Sequence, residues 1–259
     1  MSRGTRWPAS ADSACDPART LRSVLSARRP LPDVAICLAR PGIVASPGSG
    51  DGDVILEALF AHEKERMVAS RFDNAESTLD CAEAVLADRG ESGNQQVARY
   101  QLVRRCGILD YRRERIPEAL SRFECALSLS EGREDRVAVA RDLKNVGSAL
   151  RRLGDFRGAL RVLTDSLEIQ RGSGEVSGAV LNNIADVYRE IDNPDEAMGY
   201  YREALAAFQQ RGEGVEAAHV LETMSAIDLA RGQARRVVSW LQQAQRNYHD
   251  NGNRAYESS

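Results

Sequence analysis

A three-residue arrangement returns at nearly constant spacing along most of this chain, and it limits the fold more than any other feature. A small residue is followed four positions later by a bulky one and three further on by a second small one: Ala119, Phe123, Ala126; Ala159, Leu163, Ser166; Ala197, Tyr201, Ala204. Ala75, Leu79 and Ala82 form an earlier copy, and Val237, Leu241 and Ala244 a later one. The leading positions 75, 119, 159, 197 and 237 lie 44, 40, 38 and 40 residues apart. Steps of four and three place all three residues on one helical face, and a period near 40 marks a stacked repeat. Twelve residues before the leading position stand Gly107, Gly147, Ala185 and Ser225, each preceded by an apolar residue: Cys106, Val146, Ile184 and Met224. Turn signals separate the two halves, at Gly154-Asp155, at Asp192-Asn193-Pro194 and at Gly232. Gly154 and Gly232 suit a left-handed position after a helix end, and Asp155, Asp192 or Asn193 can cap the helix that follows. The unit is a helical hairpin, with Ala119, Ala159 and Ala197 expected to be buried at its contact.

These residues carry a resemblance. Leu143-x-x-Val146-Gly147-x-x-Leu150, Gly154-Asp155-Phe156-x-x-Ala159-x-x-x-Leu163-x-x-Ser166 and Leu181-x-x-Ile184-Ala185-x-x-Tyr188, Ala197-x-x-x-Tyr201-x-x-Ala204 resemble the tetratricopeptide repeats, in the variant of period near 40 found in bacterial regulatory proteins. The resemblance covers about residues 55 to 250. Two copies depart from it: Glu63 takes the small-residue position of the first, and Asp228 stands in the last where an aromatic or aliphatic residue is usual. It implies an all-α, right-handed superhelical solenoid of about five helical hairpins.

Proline sets the boundary of the repeats. Six of the eight prolines fall in the first 50 residues, and Pro47-Gly48-Ser49-Gly50-Asp51-Gly52-Asp53 has the composition of a linker. Residues 1–53 therefore read as a disordered, Pro- and Arg-rich N-terminal arm, 54–250 as the repeat domain and 251–259 as a C-terminal tail. No apolar run approaches the roughly 18 residues that cross a bilayer. The five cysteines include no Cys-x-x-Cys pair, so reduced thiols in a cytoplasmic protein are expected.

Recognisable catalytic motifs are missing. The two lysines, Lys64 and Lys144, do not follow glycine, which removes the phosphate loop of nucleotide hydrolases. His62-Glu63-Lys64-Glu65-Arg66 opens like a zinc-protease helix but has Arg66 where the second histidine must bind. Gly48-x-Gly50 lacks its third glycine, and no Gly-x-Ser-x-Gly elbow occurs. His219, near the start of a first helix, suits a solvated helix end, while Cys81 and Cys125 sit at one equivalent repeat position as small packing residues. No catalytic residue, metal or cofactor is expected.

What remains is the surface of each first helix, which in a helical solenoid lines the inner groove. By the resemblance the groove positions hold Arg104, Arg105 and Arg112, then Arg141, Lys144, Asn145, Arg151 and Arg152, then Asn182, Asn183 and Arg189. Tyr111, Asp186 and Glu190 join them, giving eight cations against two carboxylates in a chain of net charge −3. Asn145 and Asn183 share one repeat position, and a carboxamide both donates to and accepts from peptide backbone. The resemblance compares them with the asparagine ladders of peptide-binding members. The stricter set that holds chaperone tails is incomplete: Lys144 and Asn183 fit, but Ser148, His219 and Thr223 do not.

The expected function is a non-enzymatic protein-interaction module, a scaffold or regulatory component that binds an extended, acidic peptide segment. The alternatives are a peptide-responsive sensor or the repeat part of a transcriptional regulator, and an enzyme without a recognisable motif. The expected partner is another protein or peptide, with no direct nucleic-acid contact and no membrane. Val238, Trp240 and Tyr248 favour a weak homodimer through the C-terminal repeat, and Gly252-Asn253-Arg254-Ala255-Tyr256 resembles the opening of a further first helix.

Overall fold

The computed structural model describes residues 72–87 and 93–257, with 56, 59–61, 63, 64 and 67 before them. The expected arm, 1–53, lies outside the described residues. Every element among them is helical, and contacts divide the chain into two compact units, Met1–Arg133 and Glu134–Ser259. That division falls inside the span 54–250.

The N-terminal unit contains α1 (Phe72–Ala87), α2 (Gly93–Arg112) and α3 (Ile116–Gly132). Leu79, Leu86, Leu102 and Leu109 share its core with Leu56, Phe60 and Met67. The C-terminal unit contains three hairpins: α4 (Arg136–Arg152) with α5 (Phe156–Ser173), α6 (Gly178–Glu190) with α7 (Pro194–Arg211), and α8 (Gly214–Ala230) with α9 (Ala234–Glu257). Leu163, Leu181, Ile184, Tyr201, Leu221 and Met224 form its core. Ala119, Ala159 and Ala197 are fully buried.

The small positions are small for a steric reason. A Cβ added at Gly147 would lie 2.5 Å from Leu163 Cγ, and one at Gly107 would lie 2.8 Å from the ring of Phe123. Gly107 and Gly147 thus each sit on the bulky residue of the second helix of their hairpin.

The hairpin turn is equally regular. Glu114, Gly154, Asp192 and Gly232, all at one repeat position, have φ of 62°, 81°, 58° and 70°. Glycine adopts this left-handed region at no steric cost, whereas Glu114 and Asp192 hold it at a penalty of about 1–2 kcal/mol. Each turn then closes with the same backbone bond, from Arg115 to Asp110, Asp155 to Leu150, Asn193 to Tyr188 and Gln233 to Asp228, at 2.8–3.0 Å. The side chains of Asp155 and Asn193 cap α5 and α7 by accepting from Gly158 and Glu196.

The residues that accept those closing bonds also face a partner twelve positions later, and the chemistry of that pair changes from repeat to repeat. Asp110 meets Arg122 at 3.0 Å and Arg115 at 2.6 Å. Tyr188 stacks on Tyr200, centroids 5.6 Å apart and planes 9° from parallel. Asp228 accepts from the indole Nε1 of Trp240 at 2.9 Å. The departure at Asp228 is therefore a buried carboxylate with its donor supplied from α9. The last copy of the bulky position behaves differently: Ala244 is buried, but Val237 is half-buried and Leu241 exposed, because no described helix packs beyond α9. α9 itself continues unbroken to Glu257, through the residues that resembled a further first helix.

Two predictions follow from this packing. Gly147→Ala should destabilise the chain by about 1–3 kcal/mol in urea denaturation, because Leu163 is buried and has nowhere to move. Gly172→Ala, in open space near the end of α5, should be neutral or stabilising by up to about 1 kcal/mol. The second concerns acid. Burial pushes the Asp110 carboxyl above its usual 3.8, more strongly than Arg122 and Arg115 lower it, and burial likewise raises Asp80 and Glu83. Such groups bind a proton more readily folded than unfolded, so the stability they contribute is complete below the unfolded value and is lost as pH rises through the folded one. Thermal melts should move upward as pH falls from neutral toward the usual carboxylate range, and Asp110→Asn should flatten that slope.

Candidate binding surface

In the C-terminal unit the first helices α4 and α6 pack side by side, so groove positions that are distant in sequence become neighbours. The Nδ2 of Asn183 donates to Ser148 Oγ at 2.7 Å, and Ser148 Oγ donates to the Lys144 carbonyl at 2.9 Å. The first bond ties the two helices together, and the second, within α4, fixes the Ser148 hydroxyl that receives it. Asn145 is buried and Asn183 half-buried. One amide hydrogen and the carbonyl oxygen of Asn183 remain for a further contact.

Further along the same face lies a closed polar network. Arg151 on α4 forms an ion pair with Glu190 on α6 and lies 3.8 Å from Asp186. Tyr201 on α7 donates to Asp186 Oδ1 at 2.6 Å and accepts from Arg189 Nε at 3.3 Å. Asn182 Nδ2 donates to the other oxygen of Asp186 at 3.4 Å. Burial and the neighbouring Asp186 carboxylate push the Tyr201 phenol well above its usual range, so it stays a donor. Arg151 and Arg189 are thus partnered by the two carboxylates that the sequence placed among them.

Beside those two residues a cavity of about 440 Å³ opens between the N-terminal half of α4, the end of α5 and the turn into α6. Gln170 braces its wall: its Oε1 accepts from the Ser177 amide at 2.7 Å, its Nε2 donates to Ser166 Oγ at 3.3 Å, and Ser166 Oγ donates to the Ala140 carbonyl at 2.6 Å. Arg136 and Arg211 also line the cavity. Neither was singled out from the sequence. Arg136 opens α4 on a groove-side turn that the repeat positions skip, and Arg211 arrives from the end of α7, a meeting that no spacing rule reports.

The remaining candidates belong to the N-terminal unit. Arg105 forms an ion pair with the buried Glu63, donates to the Phe60 carbonyl at 3.1 Å and lies 4.7 Å above the Phe60 ring. It fastens α2 to the segment before α1, which also explains the acidic residue at the small position of that copy. Arg104 is half-buried on α2, and Arg112 is exposed at its end. Arg152 is exposed at the end of α4. Burial raises the Cys106 thiol to about 12, so its thiolate is scarce near neutral pH. His219 is exposed, 3.2 Å from the Tyr248 hydroxyl and 3.5 Å from Glu222. Among the described residues no group of three His, Cys, Asp or Glu side chains converges as a metal site would, and no helix is long and apolar enough to cross a membrane.

Paired antiparallel helices that seat a small residue of one on a bulky residue of the other define a helical-hairpin repeat protein. Residues 102–172 and 178–211 match models of the tetratricopeptide repeat, and this part of the chain is built of such repeats. Its fold is similar to BtubC (BKLC) from P. vanneervenii, at 20% identity over 90% of this chain and 92% of that one, with a TM-score of 0.62. It is also similar to a Rap protein complexed with Competence and Sporulation Factor, at 14% identity over 93% and 73%, TM-score 0.66. Aspartyl phosphate phosphatase F from Bacillus subtilis is a further likeness, at 11% identity over 77% and 61%, TM-score 0.58. At these identities the likeness is one of fold. No curated protein matches the sequence.

The network around Asp186 gives a direct test of this surface. Tyr201→Phe keeps the ring in the core but leaves Asp186 without its shortest hydrogen bond, and should cost about 1–2 kcal/mol in urea denaturation. Pairing the change with Asp186→Asn should bring back part of the loss, since the neutral amide tolerates a missing donor better than a carboxylate does.

Proposed function

We propose that the chain is a protein-interaction module that holds an extended, acidic peptide segment on the face formed by α4 and α6. The observation that supports this reading is the Asn183–Ser148 bond, which joins α4 to α6, the two helices that carry Lys144, Asn145, Asn182 and Asn183. Carboxamides there serve the peptide backbone, and Arg141 and Lys144 favour acidic side chains. Arg151 and Arg189 contribute geometry more than charge, because Asp186 and Glu190 already neutralise them. A sensor that responds to a bound factor is the second reading, supported by the likeness in fold to the Rap protein solved with Competence and Sporulation Factor. Weak self-association through α9, where Val238 and Leu241 stay exposed, would be seen in sedimentation equilibrium.

The test is a peptide array followed by calorimetry at two salt concentrations. Arg141→Glu with Lys144→Glu should weaken binding of acidic peptides strongly at low salt and less at high salt, since exposed charge contacts are screened. Arg151 is left intact, because reversing it would bring a third carboxylate against Asp186 and Glu190. Asn183→Ala should cost about 1 kcal/mol for peptides of any charge. Full-strength binding in both variants would remove this face from the interaction.

A further inference from the structure

We propose that Ser148 is a positioning residue: it turns the Asn183 carboxamide so that the oxygen is the atom offered to a ligand, and the site thereby reads the backbone N–H groups of a peptide. The inference rests on the reading of α4 and α6 as the peptide-binding face. A serine hydroxyl has one proton to give. Ser148 gives it to the Lys144 carbonyl at 2.9 Å, a backward bond of four residues within α4. Toward Asn183 its Oγ is therefore an acceptor only, and the 2.7 Å contact requires that Nδ2 face it. Half a turn of the carboxamide would set Oδ1 against that oxygen, and relieving the repulsion would cost the bond to Lys144.

Asn182 is set in the same sense by a different group. Its Nδ2 lies 3.4 Å from Asp186 Oδ2, and an ionised carboxylate that already receives the Tyr201 hydroxyl can only accept. Both asparagines are half-buried, and neither Oδ1 has a hydrogen-bond partner among the described residues or is sealed from solvent. Two neighbouring carboxamides thus spend an amide hydrogen on the protein and keep their oxygens for a ligand. A carboxamide free to turn would meet a donor or an acceptor equally well; these two meet a donor. An extended peptide supplies that donor from its backbone at every residue except proline, whatever side chains it carries. Ser148, which does not fit the set that holds chaperone tails, therefore acts on the ligand through Asn183.

The test uses the full chain and an array of capped octapeptides with aspartate at every second position and varied residues between. The tightest member is carried into calorimetry together with versions methylated at one backbone nitrogen each, which removes a single N–H donor. In the wild type one such methylation should weaken binding about tenfold. Ser148→Ala should weaken the parent peptide about fivefold and shrink that methylation penalty to about twofold, because the carboxamide is no longer held oxygen-outward. Ser148→Thr, which keeps a hydroxyl able to bond the carbonyl four residues back, should restore both values. A purely structural serine would lower the thermal melt of Ser148→Ala and leave the methylation penalty at its wild-type size, and that result overturns the role. Weakened binding in Asn183→Ala with wild-type binding in Ser148→Ala overturns the positioning role alone. Undiminished binding in Asn183→Ala, or no array member bound, overturns the peptide face and this role with it.

Discussion

The contact between a residue without a side chain and a bulky one twelve or more positions on is what the rest of this structure depends on. Gly147 over Leu163 and Gly107 over Phe123 bring two backbones together more closely than any Cβ would allow. Gly178 makes a similar approach to the ring of Phe208. Because that face of each first helix is given to its own hairpin, the opposite face is left for a neighbour or for solvent. Two such faces, on α4 and α6, meet at Asn183 and Ser148.

Charge on these faces follows from pairing rather than from composition. An arginine-rich helix looks basic in one dimension, yet Arg105 is held by Glu63, and Arg151 and Arg189 by Asp186 and Glu190. Partners of this kind lower the field that a ligand would meet and add rigidity instead. Arg136 and Arg211, which line the cavity beside α4, are exposed.

The pair position at the end of each first helix shows how much chemistry one geometry tolerates. An ion pair at Asp110 and Arg122, stacked rings at Tyr188 and Tyr200, and a carboxylate on an indole at Asp228 and Trp240 all occupy it. A buried carboxylate without a donor would cost several kcal/mol, so Asp110 and Asp228 are tolerable only with these partners. Repeats can therefore differ in composition here while the backbone turn, closed by the same hydrogen bond, stays the same.

The hairpins were legible in the sequence because their determinants are local: helical spacing, a glycine for the left-handed turn at Gly154 and an aspartate cap at Asp155 each act within a few residues. The burial of Ala159 and Ala197 and the seat of Gly147 followed from that periodicity, and Asp228 was visible as an irregularity though its reason was not. Its donor, Trp240, sits on the next helix, where only the folded hairpin brings it within 2.9 Å. The pairing of the arginines on the first helices was not legible, since whether Arg151 is free depends on Glu190, 39 residues away. The cavity was invisible for the same reason: Arg136 and Arg211 are 75 residues apart in the chain, and only the packing of α4 against α5 and α6 brings them to one wall. Local sequence decided the repeat, because helix and turn energetics are short-ranged; tertiary structure decided the site, because electrostatic pairing and cavity shape depend on distances that the order of residues does not contain.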